Sequence, residues 1–270
     1  MISNLKRINA GPEGEVYSGL LDSRKIILKS RSDKNINKLW LEGDVYKELE
    51  KIGVLAPKFV SVGEEGLVIS FLEGASLKGE DYLYDDARLW KSVSKDLSLL
   101  KNIKCVGFGK IKKYENGIFY GEFDSWQESL QETGKNILFG LSDYWRKNIG
   151  VAFLGQGNLL HGDFCMDHIW INNGEYAGTI DFGDALIGDP LMDMAYFKFK
   201  EINKDYGDSV FNHLYSVYST IVKDDRKEKE RDRLINLYMI YWAINRITSI
   251  KDDSIRKSFI DKTKVLLEKL

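Results

Sequence analysis

Only three histidines occur in the chain, and two of them, His161 and His168, bracket Asp163 in the stretch "LLHGDFCMDHIWINN". A second acidic run, "GTIDFGDALIGDP", follows closely and brings Asp181 and Asp184. Histidines and carboxylates at this density can hold a zinc ion, form part of a hydrolytic triad or build a phosphoryl-transfer loop. Zinc would find a third ligand in Asp163 or Asp167, yet would leave the chemistry-bearing residues elsewhere without a role. A triad would need a nucleophile elbow of the G-x-S-x-G kind, and the sequence has none.

Phosphoryl transfer makes further demands, and the rest of the chain meets them. It needs a cation on the phosphates, a carboxylate at the acceptor hydroxyl and another for a metal ion. The run "KIILK" ends in Lys29. Between Ile36 and Ile52, the residues Leu39, Glu42, Tyr46 and Leu49, with Gly53 beyond, recur at steps of three and four, so they share one helix face. Glu42 thus sits on the inward stripe, where an unpaired carboxylate is costly, and Lys29 is a suitable partner. "NAGPEGEV" fits the phosphate-binding pattern G-x-G-x-x-G-x-V, with Asn9 in place of the first glycine. Asparagine tolerates the left-handed conformation, and Gly11 and Gly14 would let backbone N–H groups approach a nucleotide phosphate. Glu13 at the tip would repel phosphate if it pointed inward. "HGDFCMDH" fits the kinase loop H-x-D-x-x-x-x-N with His168 in the last place, and "IDFG" supplies Asp181.

Several elements must position these residues. The first stretch, "LKRINAGPEGEVYSGLLDSRKIILKS", reads as an antiparallel meander of short strands punctuated by glycines and the turn "LDSRK". One helix follows, then two strands around "GEEG". From about Ser76 the texture turns helical. Leu89, Val93, Asp96 or Leu97, and Leu100 form one stripe; Trp126, Leu130, Ile137, Leu141 and Tyr144 form another. Asp189 reads as an N-cap with Pro190 at the first helical position. Leu234, Leu237, Tyr238, Tyr241 and Ile244 form a C-terminal core stripe. The expectation is an α+β, bilobal chain: a small antiparallel sheet lobe with one helix in residues 1–73, and a larger, mainly helical lobe in residues 74–270.

Composition narrows the function classes. A chain of 270 residues with 43% hydrophobic content can bury a sizeable core. Its net charge is −2, and the charge-rich run "KDDRKEKERDR" mixes both signs, so nucleic acid is a poor partner. Two cysteines, Cys105 and Cys165, give no disulfide framework. The start lacks an apolar leader, and no later run nears the roughly 18 apolar residues of a membrane span. A soluble, cytoplasmic protein without a membrane partner is expected.

Taken together, the motifs resemble the aminoglycoside phosphotransferase family of the protein-kinase-like fold, which also contains choline, homoserine, methylthioribose and fructosamine kinases. "LEGDVYKELEKIGVLAPKFV" is similar to the family's E-x-x-V-L-x-x-L helix and following strand, with Glu42 at the ion-pair position. "LVISFLEGASL" resembles the lobe linker, and "HGDFCMDHIWINNGEYAGTIDFGDALIGDPLMDMAY" the family's H-G-D and I-D-F-G-D blocks. "GFGKIKKYENGIFYGEFDSWQESL" looks like an insert of the hygromycin-type enzymes. Two departures stand out: Asn9 in the glycine loop, and His168 where the family pattern has a metal-binding asparagine. Similar histidines occur in the 2″-type enzymes, and a neutral imidazole can ligate a divalent ion.

The resemblance implies a Mg2+-dependent transfer of the γ-phosphate of ATP or GTP to a small-molecule hydroxyl, on an aminoglycoside or else a small metabolite. A nucleotide-binding pseudo-enzyme is the remaining alternative. Asp163 would serve the acceptor hydroxyl, with His161 supporting the loop. Asp181 and His168 would hold the metal, Lys29 would neutralise phosphate, and the backbones of Ser70 and Leu72 would meet the base. Asp189 is expected to brace the catalytic loop from behind, Asp193 to lie on a solvated face, and Cys165 to be inert for lack of a base. The short interval after "DFG" leaves no room for the peptide platform of a protein kinase. Asp184, Asp205, Asp208, Asp224, Asp225, Asp252 and Asp253 could line a pocket for a polycation or lie on solvated helix faces.

Overall fold

The computed structural model describes residues 1–11, 14–32, 36–134, 149–152, 155–201, 204–222 and 224–249, with 252, 254 and 257. Of the expectations above, Pro12 and Glu13 in the glycine loop, Ile137, Leu141 and Tyr144 in the helical stripe, Lys223 in the charged run and Asp253 lie outside these residues.

The opening meander forms an antiparallel five-stranded sheet. Strands β1 (Ile2–Gly11), β2 (Gly14–Leu21), β3 (Arg24–Ser30), β4 (Phe59–Val62) and β5 (Gly66–Ser70) run in the order β1-β2-β3-β5-β4. Asp22 and Ser23 turn the chain between β2 and β3 with φ of 48° and 66°, the two-residue geometry whose twist matches paired strands. Helix α1 (Ile36–Ile52) lies against this sheet, and its Leu39, Tyr46 and Leu49 pack with Leu67 and Ile69 of β5. It stops at Gly53, whose φ of +78° allows the left-handed exit.

The larger part is mainly helical, as expected. It contains α2 (Ala87–Leu99), α3 (Trp126–Gly134), α4 (Leu191–Glu201), α5 (Gly207–Ile221) and α6 (Glu228–Ser249). The side chain of Asp86 caps α2 by accepting from the Arg88 N–H at 2.8 Å. Trp90, Phe164, Phe197, Leu214 and Tyr238 meet in one core. Leu234, Leu237 and Ile244 are buried with them, whereas Tyr241 is only partly so. On α2 the inward residue is Asp96: its carboxylate accepts from the Leu55 N–H at 2.9 Å and the Tyr176 hydroxyl at 3.1 Å.

Strands also occur here, contrary to the helical texture expected beyond Ser76. A two-residue strand β6 (Ala75–Ser76) pairs with β11 (Ile169–Asn172), which pairs with β12 (Glu175–Thr179). A second five-stranded sheet joins β7 (Cys105–Val106), β8 (Phe108–Glu115), β9 (Ile118–Phe123), β10 (Asn158–Leu160) and β13 (Leu186–Gly188) in the order β10-β13-β8-β9-β7. Its hairpin turns on Asn116 and Gly117, with φ of 52° and 77°. The dipeptide Asn-Gly between two apolar-alternating runs is the physical signal for it. Among the described residues, no helix is long and apolar enough to cross a membrane.

Candidate active site

The sheet and α1 together hold Lys29. Strand β3 pairs it with Val16 on one side and Leu67 on the other, and α1 brings Glu42 beneath it. Lys29 Nζ lies 2.5 Å from Glu42 Oε1 and 2.7 Å from Asp181 Oδ1. Burial alone would lower the lysine pKa, but the two carboxylates hold it well above the ordinary value. Burial raises Glu42, and Lys29 opposes that rise. At Asp181 the attraction of Lys29 overrides burial and keeps the carboxyl below the usual carboxylate range. Asp181 itself adopts φ of 66°, a left-handed conformation that costs a non-glycine residue about 1–3 kcal/mol. Its N–H donates to the Tyr46 hydroxyl at 3.2 Å, and Lys38 pairs with Asp184 at 2.7 Å. Both contacts tie α1 to the "DFGD" turn.

The catalytic-loop motif follows β10. Gly162 has φ of +81°, and a Cβ there would stand 1.9 Å from the Asp184 carbonyl oxygen, so only glycine fits. The Asp193 carboxylate on α4 accepts from the N–H groups of His161 at 2.8 Å and Gly162 at 2.9 Å. Asp193 is therefore buried and braces the loop, not solvated; burial pushes its carboxyl up to about 6. Asp189, expected as the brace, instead caps α4 through the Leu191 N–H at 3.0 Å and binds Arg226 at 2.5 Å. Arg226 was hidden in the mixed-charge run; it also meets Asp224 at 2.7 Å.

Within the loop, His161 is fully buried and its Nε2 sits 2.8 Å from the Ile180 carbonyl oxygen. That contact requires Nε2–H, which leaves Nδ1 to accept the Asp163 N–H at 3.2 Å. Burial, reinforced by His168, pulls the His161 pKa down to about 3, so it is a neutral prop. The Asp163 carboxyl is raised by burial, opposed by hydrogen bonding from Tyr196 and the charge of His168. His168 places Nδ1 2.8 Å from the Asp163 carbonyl oxygen and Nε2 3.8 Å from Asp181 Oδ2. Although burial lowers it, nearby Cys165, Asp181 and Asp163 raise its pKa to about 9. With Nδ1–H held by the carbonyl, Nε2 is the nitrogen able to join Asp181 on a divalent cation once its proton leaves. Cys165, expected to lack a base, has its Sγ 3.7 Å from His168 Nδ1. The 3-10 turn Met166–His168 folds the imidazole back over the loop, a contact invisible in residue spacing.

The remaining expected residues sit nearby or elsewhere. Gly11 and Gly14 pair across the β1–β2 hairpin, with Gly14 two residues before the Val16–Lys29 pair. Ser70 ends β5, its N–H bonded to the Lys58 carbonyl at 2.8 Å, and the Leu72 carbonyl accepts the Trp170 indole N–H at 3.1 Å. Of the acidic residues proposed to line a pocket, Asp184 and Asp224 are already paired with Lys38 and Arg226, while Asp205, Asp208, Asp225 and Asp252 are exposed. Sequence reasoning missed Tyr196 beside Asp163, which follows Asp193 on α4 by three positions and so shares its face.

Comparison with known proteins adds a family. The model of the phosphotransferase enzyme family matches residues 4–214. The chain belongs to that family. No curated protein matches this phosphotransferase in sequence. Solved structures do resemble it. The ADP-bound aminoglycoside phosphotransferase APH(2'')-Ib shares 16% identity at a TM-score of 0.71, over 97% of this chain and 92% of the other. The streptomycin-ATP-APH(2")-IIa ternary complex shares 18% identity at a TM-score of 0.70, over 99% and 92%. A thermostable mutant of aminoglycoside phosphotransferase APH(4)-Ia, in its apo form, shares 16% at a TM-score of 0.68, over 98% and 90%. At these identities the likeness is one of fold, and it agrees with the α+β, kinase-like architecture of this phosphotransferase.

Proposed function

We propose that the phosphotransferase moves the γ-phosphoryl group of ATP or GTP to a hydroxyl of a small molecule of aminoglycoside type. The observation that carries the reading is the continuity of one polar cluster: Glu42, Lys29 and Asp181 connect through His168 to Asp163. Lys29 neutralises the nucleotide phosphates, and Glu42 fixes its direction. Gly11 and Gly14 approach the phosphates with their backbone, and Ser70 and Leu72 meet the base from the segment joining residues 1–73 to 74–270. Asp163 orients the acceptor hydroxyl and takes up its proton, while His161 holds the loop. The donor set fits a hard divalent cation, since Asp181 stays ionised and His168 presents Nε2 beside it. Bound Mg2+ would supply charge neutralisation between the nucleotide phosphates.

A small acceptor is supported by the interval between "DFG" and α4, which holds residues 184–190 and the short strand β13. That length gives a peptide nothing to dock on. For the aminoglycoside, the support is the fold relative APH(2")-IIa, whose ternary complex holds streptomycin and ATP. A metabolite kinase is the second reading, favoured by the pairing of Asp184 and Asp224, which removes two carboxylates from any polycation pocket.

The test is turnover with a panel of aminoglycosides, choline, homoserine and sugars, alongside resistance of a susceptible bacterium expressing the chain. Aminoglycoside phosphorylation with raised resistance supports the first reading; turnover of a metabolite alone moves the assignment to the second. The Asp163→Asn variant is expected to lose about 10²–10⁴-fold in kcat while binding nucleotide normally. Unchanged kcat would remove Asp163 from the proposed role.

A further inference from the structure

Three different donor atoms meet on the side of His168 that faces away from Asp181. The Cys165 sulfur, an Asp163 carboxylate oxygen and a His168 ring nitrogen all lie within 4.8 Å of one another. Sγ to Nδ1 is 3.7 Å, and Nδ1 to Asp163 Oδ2 is 3.6 Å. In a tetrahedral zinc site, with Zn–S near 2.3 Å and Zn–N or Zn–O near 2.0 Å, neighbouring donors stand about 3.3–3.6 Å apart. The two edges that meet at Nδ1 are therefore close to that spacing, and the third, from Sγ to the carboxylate, lies within 4.8 Å. Mg2+ avoids thiolate sulfur, whereas Zn2+ favours it, so this side of the imidazole discriminates between the two ions.

We infer that Asp163, Cys165 and His168 form an inhibitory site for Zn2+, with the cation held by the carboxylate, Sγ and Nδ1 and a water from the Asp163 side. Asp163 is 28% exposed there, which gives the ion and its water a way in. Binding breaks the Nδ1–H bond to the Asp163 carbonyl, shifts the imidazole proton from Nδ1 to Nε2 and releases the thiol proton to solvent, one proton in all. The neutral imidazole then carries its proton on Nε2. One ion thus removes the Asp163 carboxylate from the acceptor hydroxyl and turns Nε2 from a lone-pair donor toward the Asp181 cation into an N–H. The inhibition rests on the proposed role of Asp163, but the binding does not.

The experiment separates the two. The reduced full-length chain is titrated with Co2+ in the presence of saturating Mg2+, and the near-ultraviolet thiolate-to-cobalt band is followed. A stoichiometric band that Zn2+ abolishes, that persists in Cys105→Ala and that disappears in Cys165→Ala supports the site. No band in the wild-type chain, or a band surviving in Cys165→Ala, overturns it. Should Cys165→Ala fail to fold, Cys165→Ser gives the same reading. In turnover assays, the Zn2+ concentration for half inhibition is expected to rise at least about tenfold in the Cys165 variant. Equal sensitivity of wild type and variant overturns the inhibitory role. If no acceptor is ever phosphorylated, the cobalt band still decides the site.

Discussion

Glu42 offers Lys29 its one wholly buried partner, and the pair is the most sensitive point of the site. Side-chain exposure is 2% for Glu42 and 17% for Lys29, so neither charge is well solvated if the other is removed. Glu42→Ala is expected to destabilise the chain by about 3–5 kcal/mol in urea unfolding and to raise KM for the nucleotide. His161 gives a pH prediction. Its pKa is about 3 when folded against 6.5 in the open chain, so the unfolded state binds the extra proton between those values. Stability from neutral His161 is complete above 6.5 and is lost as pH falls through that window. The difference in melting temperature between wild type and His161→Asn should therefore narrow from about pH 7 to about pH 5. A difference that widens on acidification would contradict the buried neutral imidazole. Lys29, Glu42, Asp163 and Asp181 were legible as residues because type and spacing announce a charge that needs company. The Cys165–His168 contact was not, because it depends on the three-residue 3-10 turn Met166–His168, which folds the imidazole back toward Cys165.

At the level of elements, a helix holds the start of the loop, beside the bonds that the loop makes within itself. Asp193 on α4 carries the N–H groups of both His161 and Gly162, and its removal orphans two buried donors. Asp193→Ala is expected to cost about 1–3 kcal/mol for each, read by denaturant midpoint, and to lower kcat with the loop's loss of order. An unaltered midpoint would show that the loop supports itself. The sequence motif "GDPLMDMAY" contains two aspartates that could brace the loop, and choosing between them needs the helix phase. Asp189 lies at the cap, so it faces Arg226 and Leu191; Asp193 lies one turn inside and faces back toward β10. The Asn116–Gly117 hairpin was readable from its turn residues, yet it sits in a region whose neighbours are helical, and the surrounding pattern masked it.

For the molecule as a whole, the sheet with α1 and the helical part share one set of ion pairs. Lys29–Asp181 and Lys38–Asp184 both join the first to the second. Nucleotide with Mg2+, at about a hundredfold excess over Kd, is expected to add about 2.7 kcal/mol to folding and so raise Tm. Absence of any shift with either ATP or GTP would argue against nucleotide use. The division into a sheet-rich start and a helical remainder was legible because strand and helix periods differ along the chain; the pairing of β6 with β11 was not, since two residues carry no period. Because a single carboxylate, that of Asp193, fixes the amides of His161 and Gly162 to a helix in the main core, their protons can trade with deuterium only when that helix lets go. Those two amides should keep time with the slowest exchanging protons of α4, making the backbone at His161 and Gly162 as rigid as the helix that holds it.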